Sequence, residues 1–209
     1  MSKDFARPLC VDLCCGLGGV AEGFLAAGYD VVGYDVANHG YPGKLIVQDV
    51  REVDSIVEQW AGREITVLWA SPPCQEFTVW DLPWGRNKNL PPPDLSIVNA
   101  CFELRGRLHP KMFVLENVRG AQPWIGRAPL HRGPYYFWGD VALMPMLLPN
   151  HVKGVLYGTF KANGKYVTQH RQRYKESYSG QDPLKRAKIP FELSYGLAMA
   201  CRGGGINTV

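Results

Sequence analysis

The sequence predicts an α/β domain on a mostly parallel sheet, and three observations point there. Short apolar runs alternate with helix-like segments through the first 118 residues. The first run leads into a glycine-rich turn, Gly16-Leu17-Gly18-Gly19, and then a helical pattern. Two later runs end in chemistry-bearing residues, Cys74 after one and Glu116 after the other. That is the strand end where open α/β sheets bind ligands.

Taken in order, Pro8–Cys14 reads as strand one and Gly19–Ala27 as a helix closed by Gly28. Asp30–Val36 and Lys44–Val50 read as strands two and three, Val53–Ala61 as a short helix and Ile65–Ala70 as strand four. Residues 79–93, rich in Pro, Trp and Asn, read as a functional loop. Pro93 then opens a helix with Leu95, Val98 and Phe102 on one face, and Lys111–Leu115 is strand five. Residues 119–168 predict loops and one or two strands around Tyr135–Trp138, and Pro190–Cys201 a last helix ended by glycines. No repeat or linker divides the chain, so a single domain over 1–209 is expected.

At 209 residues and 46% hydrophobic, the chain can bury a real core. No apolar run approaches the roughly 18 residues of a membrane span, and Met1–Pro8 lacks the apolar stretch of a secretory signal. The six cysteines follow no disulfide or zinc spacing, so no metal site and a reducing cytoplasm are expected, with Cys14-Cys15 as small buried hydrophobes. Net charge is +4, unevenly spread. Residues 151–209 hold ten Lys/Arg against three Asp/Glu, and residues 1–150 thirteen against sixteen. A basic final third suits a phosphate backbone; a solvated basic surface is the plain alternative.

Gly16-Leu17-Gly18-Gly19-Val20-Ala21 fits the pattern Gly-x-Gly-x-x-Gly/Ala, in which missing side chains let the backbone approach a ligand. Asp35, seventeen positions after Gly18, stands where a ribose hydroxyl partner is expected, and Asp49 ends the next strand similarly. This supports a nucleoside-bearing cofactor; NAD, FAD and S-adenosylmethionine all fit, and both aspartates also read as strand-end caps. In Ser71-Pro72-Pro73-Cys74-Gln75-Glu76-Phe77-Thr78 the prolines stiffen the chain and hold Cys74 beyond the strand. Glu116 follows four apolar residues, where a carboxylate is costly without a partner. If the two strands are neighbours, a thiol and a carboxyl meet.

Asp12–Gly19, Ser71–Thr78, Glu116–Val118 and Gln169-His170-Arg171-Gln172-Arg173 resemble, in order, four motifs of the cytosine-5 DNA methyltransferase family. The resemblance implies a Rossmann-like class I S-adenosylmethionine-dependent methyltransferase fold, with residues 1–70 as the cofactor half, 71–173 the catalytic half and 174–209 a basic segment and helix. It implies that Cys74 adds to C6 of a cytosine flipped out of DNA, leaving electron density on C5 to take the methyl group. Glu116 would favour a proton at N3, and Arg173 with Arg171 would hold the O2 side and raise the thiolate fraction. Cys14, Leu17, Gly18 and Gly19 would surround the methionine part of the cofactor, with Gly16 and Val36 also in contact with it. Asp35 would take the ribose hydroxyls, Asp49 with Val50 the adenine, and Pro73 the region near the sulfonium. Gln75, Thr78, Asn117 and Gln169 would contact substrate. S-adenosylmethionine, or a derivative with a modified methyl group, is the implied cofactor; DNA is the implied partner, with a monomer and no membrane.

Only Tyr174–Ile189 separates the last motif from the final helix, where the family carries a long recognition domain. Short or relaxed sequence specificity is therefore expected, as in compact bacteriophage enzymes, with contacts drawn from His131, Arg132, Tyr135, Trp138, Trp80, Trp84 and Arg86. Methylation of RNA by the same chemistry, an inactive nucleic-acid-binding relative and a dinucleotide oxidoreductase are the competing readings. The last leaves Pro72-Pro73-Cys74-Gln75 without a task.

Overall fold

In the computed structural model the described residues are 7–81, 91–141, 159–162, 165–168 and 188–203. Strands β1 (Leu9–Leu13), β2 (Asp30–Asp35), β3 (Lys44–Val47), β4 (Val67–Ala70), β5 (Met112–Asn117), β6 (Leu130–Arg132) and β7 (Tyr135–Gly139) form one seven-stranded sheet. Its order is β3-β2-β1-β4-β5-β7-β6. The first five are parallel, while β7 runs antiparallel to both β5 and β6. A separate antiparallel pair joins β8 (Thr159–Ala162) to β9 (Lys165–Thr168). The helices are α1 (Gly19–Ala26), α2 (Val53–Gln59), α3 (Gln75–Asp81), α4 (Ser96–Leu108), α5 (Gln122–Ile125) and α6 (Phe191–Gly203), with a 3₁₀ turn at Arg119–Ala121.

The central strands are mostly apolar because both sheet faces are covered. Along β1, Leu9, Val11 and Leu13 face the cluster that includes Ile56 of α2 and Leu104 of α4. Cys10 joins the opposite cluster, with Phe24 of α1 and Leu197 of α6. Among the described residues no helix is long and apolar enough to cross a membrane.

Two differences from the sequence expectation matter. Residues 75–81 form a helix: Cys74 O accepts the Thr78 N–H at 2.9 Å, directly after two prolines that keep any helix from starting earlier. Strand β5 also extends through Asn117, because β7 pairs with it there (Glu116 opposite Phe137, Asn117 opposite Tyr136). Glu116 is thus a strand residue, not a residue beyond the strand.

Helices α1 and α6 touch through Gly23, where an added Cβ would collide with Ser194 and the Tyr195 backbone. An alanine at an exposed helical glycine gains about 1 kcal/mol. Gly23→Ala is instead expected to destabilise by about 2 kcal/mol, as overpacking does. Urea denaturation checks the sign, and a stabilised variant contradicts the close packing.

Candidate active site

The turn after β1 is built from left-handed residues: Cys14 (φ 56°), Gly16 (φ 50°) and Gly18 (φ 76°), the last capping α1. At Cys14, a non-glycine, such a conformation costs about 1–2 kcal/mol, and strain of this kind concentrates at functional sites. Gly18 is doubly constrained, since a Cβ there would overlap Pro42 as well. Over Gly16 nothing stands within 4 Å of such a Cβ, so the turn presents bare backbone to open space.

Asp35, at the end of β2, takes the Gly16 N–H on Oδ2 at 2.9 Å and the Ala37 N–H on Oδ1 at 3.3 Å. It therefore ties the turn to the neighbouring strand, with oxygen lone pairs to spare for a ligand hydroxyl. Beside it Val36 is 68% exposed, an apolar surface left open at the strand tip. Leu17 is half-buried. Asp49 is held by Arg51, whose side chain donates to both its oxygens and keeps its carboxyl below the usual range. Val50 corrects one expectation. Its side chain is buried in the core, so only its backbone can meet a ligand.

The sequence reading overlooked Asp12. This carboxyl is fully buried, accepts the Tyr41 hydroxyl at 3.1 Å on Oδ2 and has no partner on Oδ1 among the described residues. Burial raises its pKa to about 8. A charged residue inside the apolar run Leu9–Cys15 was the signal available.

Strands β4 and β5 are parallel neighbours in register, Ala70 opposite Leu115, so their tips carry Cys74 and Glu116 to one edge. Asn117 ties the tips together: its Nδ2 donates to Pro72 O at 3.0 Å and its Oδ1 accepts the Val118 N–H at 2.8 Å. Buried and engaged at both ends of its amide, Asn117 positions the Cys74 loop; the expected substrate contact is corrected accordingly. Pro73, Gln75 and Thr78 are exposed at this edge, and the Thr78 hydroxyl also donates to Cys74 O at 2.9 Å.

Burial pushes the Glu116 pKa up to about 8, with a Ser71 hydrogen bond opposing. Ser71, unremarked in the sequence, also accepts the Trp69 indole N–H at 2.9 Å and so links the core to the carboxyl. The half-buried Cys74 thiol is raised by burial first and by the Glu116 charge second, while bonds from Thr78 and the local backbone pull it down. The thiol thus lies within reach of the Glu116 carboxyl's charge. Gln169, Arg171 and Arg173 lie outside the described residues, as do Trp84 and Arg86.

Residues 9–123, more than half of the chain, match the C-5 cytosine-specific DNA methylase family. The chain belongs to this family. The sheet order, with β7 reversed between β5 and β6, is that of the class I methyltransferase fold, as the sequence led one to expect.

Among solved structures, the chain is similar to an Escherichia coli protein described as a prophage-encoded DNA modification methyltransferase (23% identity, TM-score 0.42). That alignment covers 55% of this chain and 33% of the other. It is similar to Spodoptera frugiperda DNMT2 (19% identity, TM-score 0.39, covering 57% and 38%). It is also similar to the Entamoeba histolytica methyltransferase EhMeth (14% identity, TM-score 0.40, covering 57% and 41%). The matched part spans between a third and a little over two fifths of these relatives' lengths. No curated protein matches the chain.

Proposed function

We propose that this C-5 cytosine methyltransferase acts on DNA, with Cys74 as the nucleophile and S-adenosylmethionine as the methyl donor. The observation that carries the reading is the Cys74–Glu116 pair, a thiol and a buried carboxyl that adjacent parallel strands bring to one edge.

The residues at the β1 turn suit that cofactor. The bare backbone over Gly16, with Gly18 and Gly19 beside it, admits the methionine part, and Cys14 and Leu17 flank it. Asp35 suits the ribose hydroxyls and exposed Val36 the adjoining ring, with Asp49 and the Val50 backbone on the adenine side. When bound, the cofactor supplies an electrophilic methyl group.

Glu116 is protonated at neutral pH, because its pKa lies near 8. It can therefore donate a hydrogen bond to cytosine N3 and leave Cys74 free of a neighbouring negative charge. The thiolate adds to C6, aromaticity is lost and density gathers on C5. After C5 has gained its methyl group, a base removes the C5 proton and the C6–S bond breaks, returning the thiolate. Arg171 and Arg173 are proposed to hold the O2 side, and Gln75, Thr78 and Gln169 the neighbouring nucleotide. The +7 charge of residues 151–209 supports a polyanionic substrate.

A mechanism-based trap tests this. With the cofactor present, 5-fluorocytosine in DNA is expected to give a denaturation-resistant protein adduct, because fluorine blocks the proton loss that releases Cys74. Cys74→Ala should give none. Adduct formed only with RNA of the same sequence sinks the DNA assignment, and adduct retained in the alanine variant sinks the nucleophile.

A further inference from the structure

Between Asn117 and Gly139 the chain carries three arginines and a histidine with no Asp or Glu, interleaved with Trp124, Tyr135, Tyr136, Phe137 and Trp138. The fold gathers this segment at the catalytic edge. The 3₁₀ turn leaves directly after β5, α3 leaves directly after Cys74, and Tyr136 of β7 pairs with Asn117. Two neighbouring cavities result, of about 800 Å³ and about 560 Å³, both lined by Gln122 and Arg127. The larger has Trp80 and Trp124 in its wall, edge to face with centroids 5.6 Å apart. The smaller has His131 stacked on Tyr136 at 5.0 Å. Arg127 is exposed, and the Trp124 indole N–H is buried without a hydrogen-bond partner among the described residues.

We propose that this double cleft holds the nucleotides flanking the target cytosine, with Trp80 and Trp124 against the bases and Arg127 on the phosphates. The proposal rests on the nucleic-acid reading above and assigns sequence context to residues outside the four family motifs. Aromatic faces with arginine and no carboxylate match a polyanion whose bases stack, where an acid-free apolar groove would not need the charge. An extruded cytosine leaves its neighbours partly unstacked, and the cleft offers them a replacement surface.

Fluorescence anisotropy with a labelled single strand, as DNA and as RNA of one sequence, tests it on the full chain. Trp80→Ala is expected to weaken binding about 10-fold, the loss of one stacked base. Arg127→Gln, at an exposed position, should weaken binding several-fold and lower the slope of log affinity against log salt by about 0.7. Cofactor affinity serves as the folding control. Wild-type affinity and slope in Arg127→Gln overturn the proposal. So does an equal loss of heparin binding in Trp80→Ala, since heparin has charge but no bases. The wild-type 5-fluorocytosine adduct, measured in parallel, separates the two readings. Adduct present with unchanged variant affinities sinks the cleft alone, whereas weakened variants without any wild-type adduct sink the chemistry and keep the cleft.

Discussion

Cys74→Ser is expected to lower kcat by about 10⁴-fold or more while leaving cofactor affinity near that of the wild type. Serine nearly matches the shape of a half-buried side chain, so the Pro72–Thr78 loop and its Asn117 tether should persist. Reactivity is what changes. An alcohol is essentially un-ionised at neutral pH, whereas even a raised thiol keeps a small, highly nucleophilic thiolate fraction. Burial holds that fraction down, and Glu116 lowers it further wherever the carboxyl ionises. While Glu116 keeps its proton in a hydrogen bond to the base, it carries no charge to oppose ionisation of Cys74. Single-turnover methyl transfer measures the effect; a serine variant within tenfold of wild type would mean that another atom attacks.

The second large effect belongs to Glu116. Glu116→Gln keeps the volume but cannot carry a transferable proton, and kcat is expected to fall by about 10²–10⁴-fold, the usual contribution of a positioned acid. The wild-type rate should decline as pH rises through about 8, where Glu116 loses its proton. That alkaline decline should vanish in the glutamine variant. Stability follows the same group with a definite sign. The folded-state pKa lies above the unfolded value of about 4.3, so folding favours the neutral carboxyl. The associated stability is complete below the unfolded value and is lost as pH climbs through about 8. Asp12, also raised to about 8 by burial, acts in the same direction. Urea unfolding at acidic and alkaline pH should therefore show a shallower loss in Glu116→Gln than in wild type; parallel curves contradict a buried, protonated Glu116.

Much of the sheet is legible in the sequence alone. β1, β2, β4 and β5 are apolar on both faces, a run pattern that survives any arrangement of neighbours. Boundaries shifted where pairing decides them: β5 gained Glu116 and Asn117 because β7 lies alongside, and β3 stops at Val47. Helix α3 escaped notice because its short sequence, led by two prolines and followed by a Trp- and Pro-rich stretch, carries little periodic signal. The candidate site residues were legible as types: a thiol and a carboxyl after apolar strands, glycines in a turn. The inward turn of the Asn117 and Val50 side chains was not legible, since local sequence does not show which way a side chain near a strand end points.

By itself the sequence determined the α/β class, the glycine turn and the two candidate reactive groups, because these depend on composition and short-range pattern. Tertiary structure decided that Cys74 and Glu116 share one edge, that Asn117 and Ser71 brace them, and that a buried Asp12 leans on Tyr41. Each of these joins residues distant along the chain, and only strand order and the removal of water set their distances and proton affinities.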